Sequence, residues 1–350
     1  SNIETEAAEY ARKKSRTNFF PTLNATYQYK QNEKEIRSPF VGIITPKERY
    51  TLAASITQPL FNGFSITNQY KMAELNLDLT KANKKRVRQD VVLEVTKAYF
   101  EILKAEKLLG VSKETVNQVS VQTDVVNNFY QVGMSPLNDL LESQVLLATA
   151  KQEVVFTKSD LDIARSYMNT LLRKPISQSI EIVDMLDYNP FEYDLESCIR
   201  TGLEQRIELK MADIEIELAE KDILLAKKTY YPTINVTGTY YRVGTEWDVS
   251  GGEDIGDVDT WDITAAASWD FWDWGKTSYG TREQKSRRSQ AILNRSKIED
   301  SIQFSITQAY LQMQTSEKNI TTIETAIEQA KENVRINEER YKEQVATSTD

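Results

Sequence analysis

The amino-acid sequence predicts a mainly α chain with membrane β structure: long helical hairpins, plus four strands that one copy cannot close into a barrel. Three observations predict it. The eight prolines leave two long gaps, from 60 to 135 and everywhere after 232. A duplication at a constant offset of 211 residues runs the length of the chain. Four segments of about eight to eleven residues alternate apolar and polar side chains with period two, as strands with two different faces do.

The first repeat, 1–173, begins with the end of a helix and continues into a strand at 22–31, where Leu23, Ala25, Tyr27 and Tyr29 oppose Asn24, Thr26, Gln28 and Lys30. A second strand at 50–60 sets Tyr50, Leu52, Ala54 and Ile56 against Thr51, Ala53, Ser55 and Thr57. A long helix over 65–131 follows, with Val87, Val91, Val95, Ala98 and Ile102 at helical spacings of three and four. At 1.5 Å per residue it would be roughly 100 Å long, too long for a globular domain of this size. Pro136 suits the first turn of a helix over 137–173. The linker 174–194 breaks the pattern with Pro175, the β-like run Ile180, Ile182 and Val183, and Pro190.

The second repeat, 195–350, reads as a helix at 195–229, strands at 233–243 and 261–271, a long helix at 276–343 and a tip. Phe19 to Thr26 falls on Tyr230 to Thr237, Leu60-Phe61-Asn62 on Phe271-Trp272-Asp273, Ala98-Tyr99 on Ala309-Tyr310, and Tyr130 and Asp139 on Tyr341 and Asp350. No gap is needed in this match. The duplication implies that a counterpart of helix 137–173 would follow Asp350, and that the first helix is short by a turn or more.

All five tryptophans lie between 247 and 274, around the ends of the fourth strand, with Phe20, Phe61 and Tyr231 at equivalent strand ends. Phe20, Phe61, Tyr231, Trp261, Trp269, Trp272 and Trp274 are therefore the candidate membrane-interface aromatics, rings with apolar bodies and, for Tyr and Trp, tips that want water. Lipid does not tolerate an open sheet edge, so a spanning sheet of four strands requires several chains to share one barrel. A half-buried sheet with an aromatic core against the helices is the alternative.

Composition removes whole classes. There are 52 acidic and 43 basic residues, a net charge of −9, no histidine and one cysteine. Without histidine there is no Ser-His-Asp triad and no ordinary zinc site, so neither a catalytic residue, a cofactor nor a metal is expected. The acidic balance argues against a nucleic-acid partner. No stretch approaches the ~20 apolar residues of a membrane helix, and nothing at Ser1 resembles a signal peptide, which would have been removed from an exported protein.

The residues resemble the TolC-type outer-membrane efflux proteins. The resemblance is carried by Phe20-Pro21-Thr22-Leu23 and Tyr231-Pro232-Thr233-Ile234, by Gln58-Pro59-Leu60-Phe61-Asn62-Gly63 and Phe271-Trp272-Asp273-Trp274-Gly275-Lys276, and by the tip segments Tyr130 to Leu141 and Tyr341 to Asp350. It implies a homotrimer in the outer membrane of a Gram-negative bacterium. Each chain would give four strands to a 12-stranded barrel and its helices to a periplasmic α-barrel, with 174–194 where an equatorial domain begins. The implied function is passive export of drugs, small molecules or polypeptides, driven by an inner-membrane pump of RND or ABC type through a periplasmic adaptor (membrane fusion) protein, with outer-membrane lipid as a further partner. A soluble helical scaffold or coiled-coil interaction protein is the competing expectation, but it has no use for four amphipathic strands with aromatic ends.

The resemblance also puts Asp139, Tyr341 and Asp350 at a periplasmic constriction. It makes the tips Gly133, Met134, Ser135, Gln344, Val345, Ala346 and Thr347 the contact with the adaptor. Gly133 permits positive φ, whereas the second tip has Gln344. Ordinary helix N-capping is the other reading of Asp139 and Asp350. Between 244 and 260, six carboxylates and no base make a solvated acidic loop; it lacks the spacing of an EF-hand.

Overall fold

The computed structural model describes residues 2–40, 42–185, 188–250 and 258–342. Helix α1 (Asn2–Thr17) leads into β1 (Thr22–Gln31), a small hairpin of β2 (Ile36–Ser38) and β3 (Gly42–Thr45), and β4 (Glu48–Asn62). Then come α2 (Ser65–Gln131), α3 (Leu137–Leu171), α4 (Leu195–Gln205), α5 (Ile207–Ala226) with a 3₁₀ turn at Lys227–Tyr230, β5 (Thr233–Gly244), β6 (Val258–Ser268) and α6 (Lys276–Lys342). Helices α2 and α6 have 67 residues each, about 100 Å of helix.

The chain forms two compact units, and both cut across the repeats: one holds 1–86 with 203–302, the other 87–202 with 303–350. In the first unit β1, β4, β5 and β6 form one antiparallel sheet in that order. Pro59 donates no N–H, and the β4–β5 register shifts by one residue between Pro59 and Phe61, which leaves Leu60 as the bulge. In the second unit, Ala98 and Ile102 of α2 pack against Leu161 and Met168 of α3, flanked by Ile180 and Ile182 of the linker.

Several expected bounds differ, and β4, at Glu48–Asn62, runs two residues past the expected 50–60 at each end. The helix expected at 195–229 is broken at Arg206, whose ψ of 127° is extended. A continuous helix would put this arginine on the stripe of Leu195, Cys198, Ile199 and Leu203; the break leaves it exposed. The strand expected at 261–271 lies at Val258–Ser268. Its ladder ends where Thr233 pairs with Ser268, because Pro232 before Thr233 cannot donate. Helix α3 stops at Leu171, and Arg173 takes φ 54° as the chain turns out of it. The linker has no strand among its described residues; Ile180 and Ile182 are packing residues instead.

Candidate functional site: the open sheet and the helical tip

The sheet is built from alternation. Its register aligns Leu23, Ile56, Gly238 and Ile263 across the four strands, and beside them Ala25, Ala54, Tyr240 and Trp261. The opposite face aligns Thr22, Thr57, Thr237 and Thr264, then Asn24, Ser55, Thr239 and Asp262. Thr57 and Thr237 bring their hydroxyls to 3.1 Å there. One face is thus aliphatic and aromatic, the other mostly hydroxyl and amide with the Asp262 carboxylate.

The chain does not bury the apolar face: Leu23 is 82% exposed and Trp261 71%. Strands β1 and β6 each pair on one side only, which leaves two unpaired edges. At about 25 cal/mol per Å², so much uncovered apolar area is a liability in water and a requirement in lipid.

The candidate interface aromatics fall at both ends of the strands. On the side where the strands join helices, Phe61 meets Phe64 at 5.1 Å and Tyr231 at 6.2 Å, and Trp272 meets Trp274 at 5.7 Å. Phe20 and Trp269 lie on the same side, both exposed, with Trp269 against Phe271 at 6.4 Å. Trp261 belongs to the other end, near the loops, with Tyr240 opposite it and the Tyr29–Tyr50 pair at 4.9 Å. From Trp261 to Trp269, one residue past the end of β6, an extended chain covers about 26 Å, close to the ~25 Å apolar band of an outer-membrane barrel before tilt is counted.

Each strand enters its long helix through two residues of positive φ. These are Gly63 (61°) and Phe64 (63°) after β4, and Trp274 (55°) and Gly275 (85°) after β6. The repeat offset pairs Gly63 with Trp274 and Phe64 with Gly275, a signal present in the sequence but not read from it. The residue before each pair caps the helix. Asn62 Oδ1 accepts from the Ile66 N–H at 3.2 Å. Asp273 accepts from the backbone of Gly275 at 3.0 Å and of Thr277 at 2.8 Å, and from the Thr277 hydroxyl. Those bonds, the Thr277 hydroxyl foremost, hold the Asp273 carboxyl below its ordinary range.

At the tip, α2 ends in a Schellman turn. Gly133 at φ 80° donates to the Tyr130 carbonyl at 3.0 Å, and Met134 donates to Phe129 at 2.8 Å. Val132, Met134 and Leu137 are exposed around it. Asp139, in the first turn of α3, accepts from the Ser135 hydroxyl at 3.0 Å, so it stitches the turn locally. Tyr341 falls in the last turn of α6. Gln344, Val345, Ala346, Thr347 and Asp350 lie outside the described residues, as does 251–257 of the acidic loop. No helix among the described residues is long and apolar enough to cross a membrane.

The model of the outer membrane efflux protein family matches residues 1–172 and 198–350. TolC of Vibrio cholerae is 25% identical over 244 residues, 68% of this chain and 53% of that protein. BepC of Brucella suis, an outer membrane efflux protein, is 18% identical over 272 residues, 77% of this chain and 58% of that protein. The chain thus spans little more than half the length of these relatives. The outer membrane protein VceC of Vibrio cholerae has the same fold, with a TM-score of 0.81 at 13% identity over 99% of this chain and 82% of that one. All three are named as outer membrane proteins, and the fold shared with VceC is the one of long helices and a few strands described above. The chain belongs to the outer membrane efflux protein family.

Proposed function

We propose that the chain is one protomer of an outer-membrane exit duct, in which three copies pool four strands each into a 12-stranded barrel. The observation that carries this reading is the sheet itself, with one apolar face ending in aromatic rings, one wet face of threonine, serine and asparagine, and two open edges. Two of those edges from neighbouring copies satisfy each other, and lipid leaves no cheaper partner for them. The repeats 1–173 and 195–350, joined by an equatorial segment at 174–194, then supply periplasmic helices. An adaptor meets the tips around Gly133, Met134 and Ser135, and an inner-membrane pump of RND or ABC type drives drugs, small molecules or polypeptides through. A constriction formed by Asp139, Tyr341 and Asp350 keeps the resting duct narrow.

The full chain in detergent should run as a trimer and give discrete conductance steps in planar bilayers. Asp139→Asn and Tyr341→Phe should each raise the step size. A detergent-independent soluble monomer that leaves bilayers silent sinks the duct and favours a helical scaffold; unchanged steps in both variants sink only the constriction.

A further inference from the structure

The linker is more than a connection. Its described residues are tied in turn to three helices, all within the second compact unit. At its start, the Asn169 side chain at the end of α3 donates to the carbonyls of Ile176 (3.1 Å) and Gln178 (2.8 Å), and Asn169 is fully buried. Next, Ile180 and Ile182 pack on the α2–α3 core. The Tyr99 hydroxyl of α2 then donates to the Val183 carbonyl, and Lys107 of α2 pairs with Asp184. Finally the Tyr188 hydroxyl donates to Glu317 of α6. Helices α2 and α6 are the equivalent long helices of the two repeats, so one strap grips both.

The repeat offset sharpens the meaning of the last contact. Glu317 is the counterpart of Glu106, and Glu106 is held by Arg165 of α3 at 2.8 Å. In the first repeat this carboxylate fixes a long helix to its own hairpin partner. In the second, the same position is taken by a tyrosine of the strap. A single exposed hydrogen bond is a weak and reversible fastener, unlike the buried Asn169 and isoleucine anchors at the other end. The strap is therefore firmly rooted on α2 and α3 and lightly latched to α6.

We propose that the described linker residues 176–185 and Tyr188 act as a releasable clasp that fixes the spacing of α2 and α6, and that undoing the Tyr188–Glu317 latch frees α6 to move as the duct widens. The proposal rests on the duct reading. Its energetic scale is the low end of a solvent-exposed hydrogen bond, roughly a threefold change in the balance between narrow and wide states.

The test is single-channel recording on the reconstituted full chain. Tyr188→Phe should raise the fraction of time spent in the wide state about threefold. Glu317→Gln, which keeps an acceptor oxygen, should fall between Tyr188→Phe and the native chain, and Tyr193→Phe should match the native chain. A reducible linker joining Tyr188→Cys to Glu317→Cys, in a Cys198→Ser background, should abolish the wide state until it is cleaved. If Tyr188→Phe and the linked protein both gate like the native chain, the clasp is wrong. A native chain with no conductance overturns the duct reading instead, and trimers that survive in detergent show that a silent variant is folded.

Discussion

The two strand-to-helix junctions perform the same task with the glycine in opposite places. After β4 the order is Gly63-Phe64, after β6 it is Trp274-Gly275, and all four residues have positive φ. The difference lies in the neighbours. β4 is a central strand, and the lead-in to β5 runs beside its end. A Cβ built on Gly63 would collide with the Lys228 backbone carbonyl, so glycine is required by space as well as by torsion. β6 is an edge strand, paired with β5 on one side and with no described strand on the other. Trp274 therefore tolerates left-handed torsion with its side chain 86% exposed. A Cβ on Gly275 meets only the Tyr279 ring. The same chain path thus demands glycine in one position for sterics and accepts it in the other for torsion alone.

Substitutions separate these two demands. Gly63→Ala should have the largest effect, about 3 kcal/mol from strain plus a backbone collision, seen as a lower unfolding midpoint in detergent. Gly275→Ala, where only torsion and a movable ring resist, should cost about 1 kcal/mol. Equal losses at the two sites would remove the steric half of the comparison. Trp274→Gly should relieve local torsion and leave the unfolding midpoint unchanged or slightly higher, while weakening partition into vesicles, which flotation would read.

The caps give the smallest and most selective effect. The Asp273 carboxyl is held below its ordinary value of 3.8, chiefly by the Thr277 hydroxyl. A lowered folded pKa means that its contribution is complete above 3.8 and is lost as pH falls through the folded value. Acid should therefore loosen the start of α6 in a window below about pH 4, and Asp273→Asn should remove that share of the acid response, leaving the share of other lowered carboxyls such as Asp194 and Glu332. The α2 junction, capped by the uncharged Asn62, should show none. Unfolding midpoints measured from pH 6 to pH 3 should fall less in Asp273→Asn than in the native chain, and an undiminished fall would discard the explanation.

Much of this was legible in the sequence because the dominant signals are long-range and repetitive. Sixty-seven-residue helices announce themselves by missing prolines, and β1 was readable to the residue because its alternation is bounded by Pro21 and a polar turn. What escaped was decided by local neighbours. The end of β6 is set by Pro232, just ahead of the neighbouring strand β5, and is invisible in the run Trp261 to Phe271. The β2–β3 hairpin, at three and four residues, is too short for period two to register. The break at Arg206 comes from a charge entering an apolar stripe, with no glycine or proline to mark it. For the candidate site, the two faces of the sheet were readable, since alternation fixes them. The Ser135–Asp139 stitch and the Tyr188 latch were not, because each depends on which helix turn a side chain happens to reach.

Trp274 carries one further consequence. If a neighbouring copy laid its β1 against β6 just as β5 lies against β4, its Thr17, the counterpart of Lys228, would bring a carbonyl toward the Cβ that Gly63 lacks. In the shared barrel proposed above, the seam between copies would then be wider there than the seam within one. Six similar hairpins around a barrel would then obey threefold rather than sixfold symmetry, with three tight seams and three looser ones ringed by tryptophan.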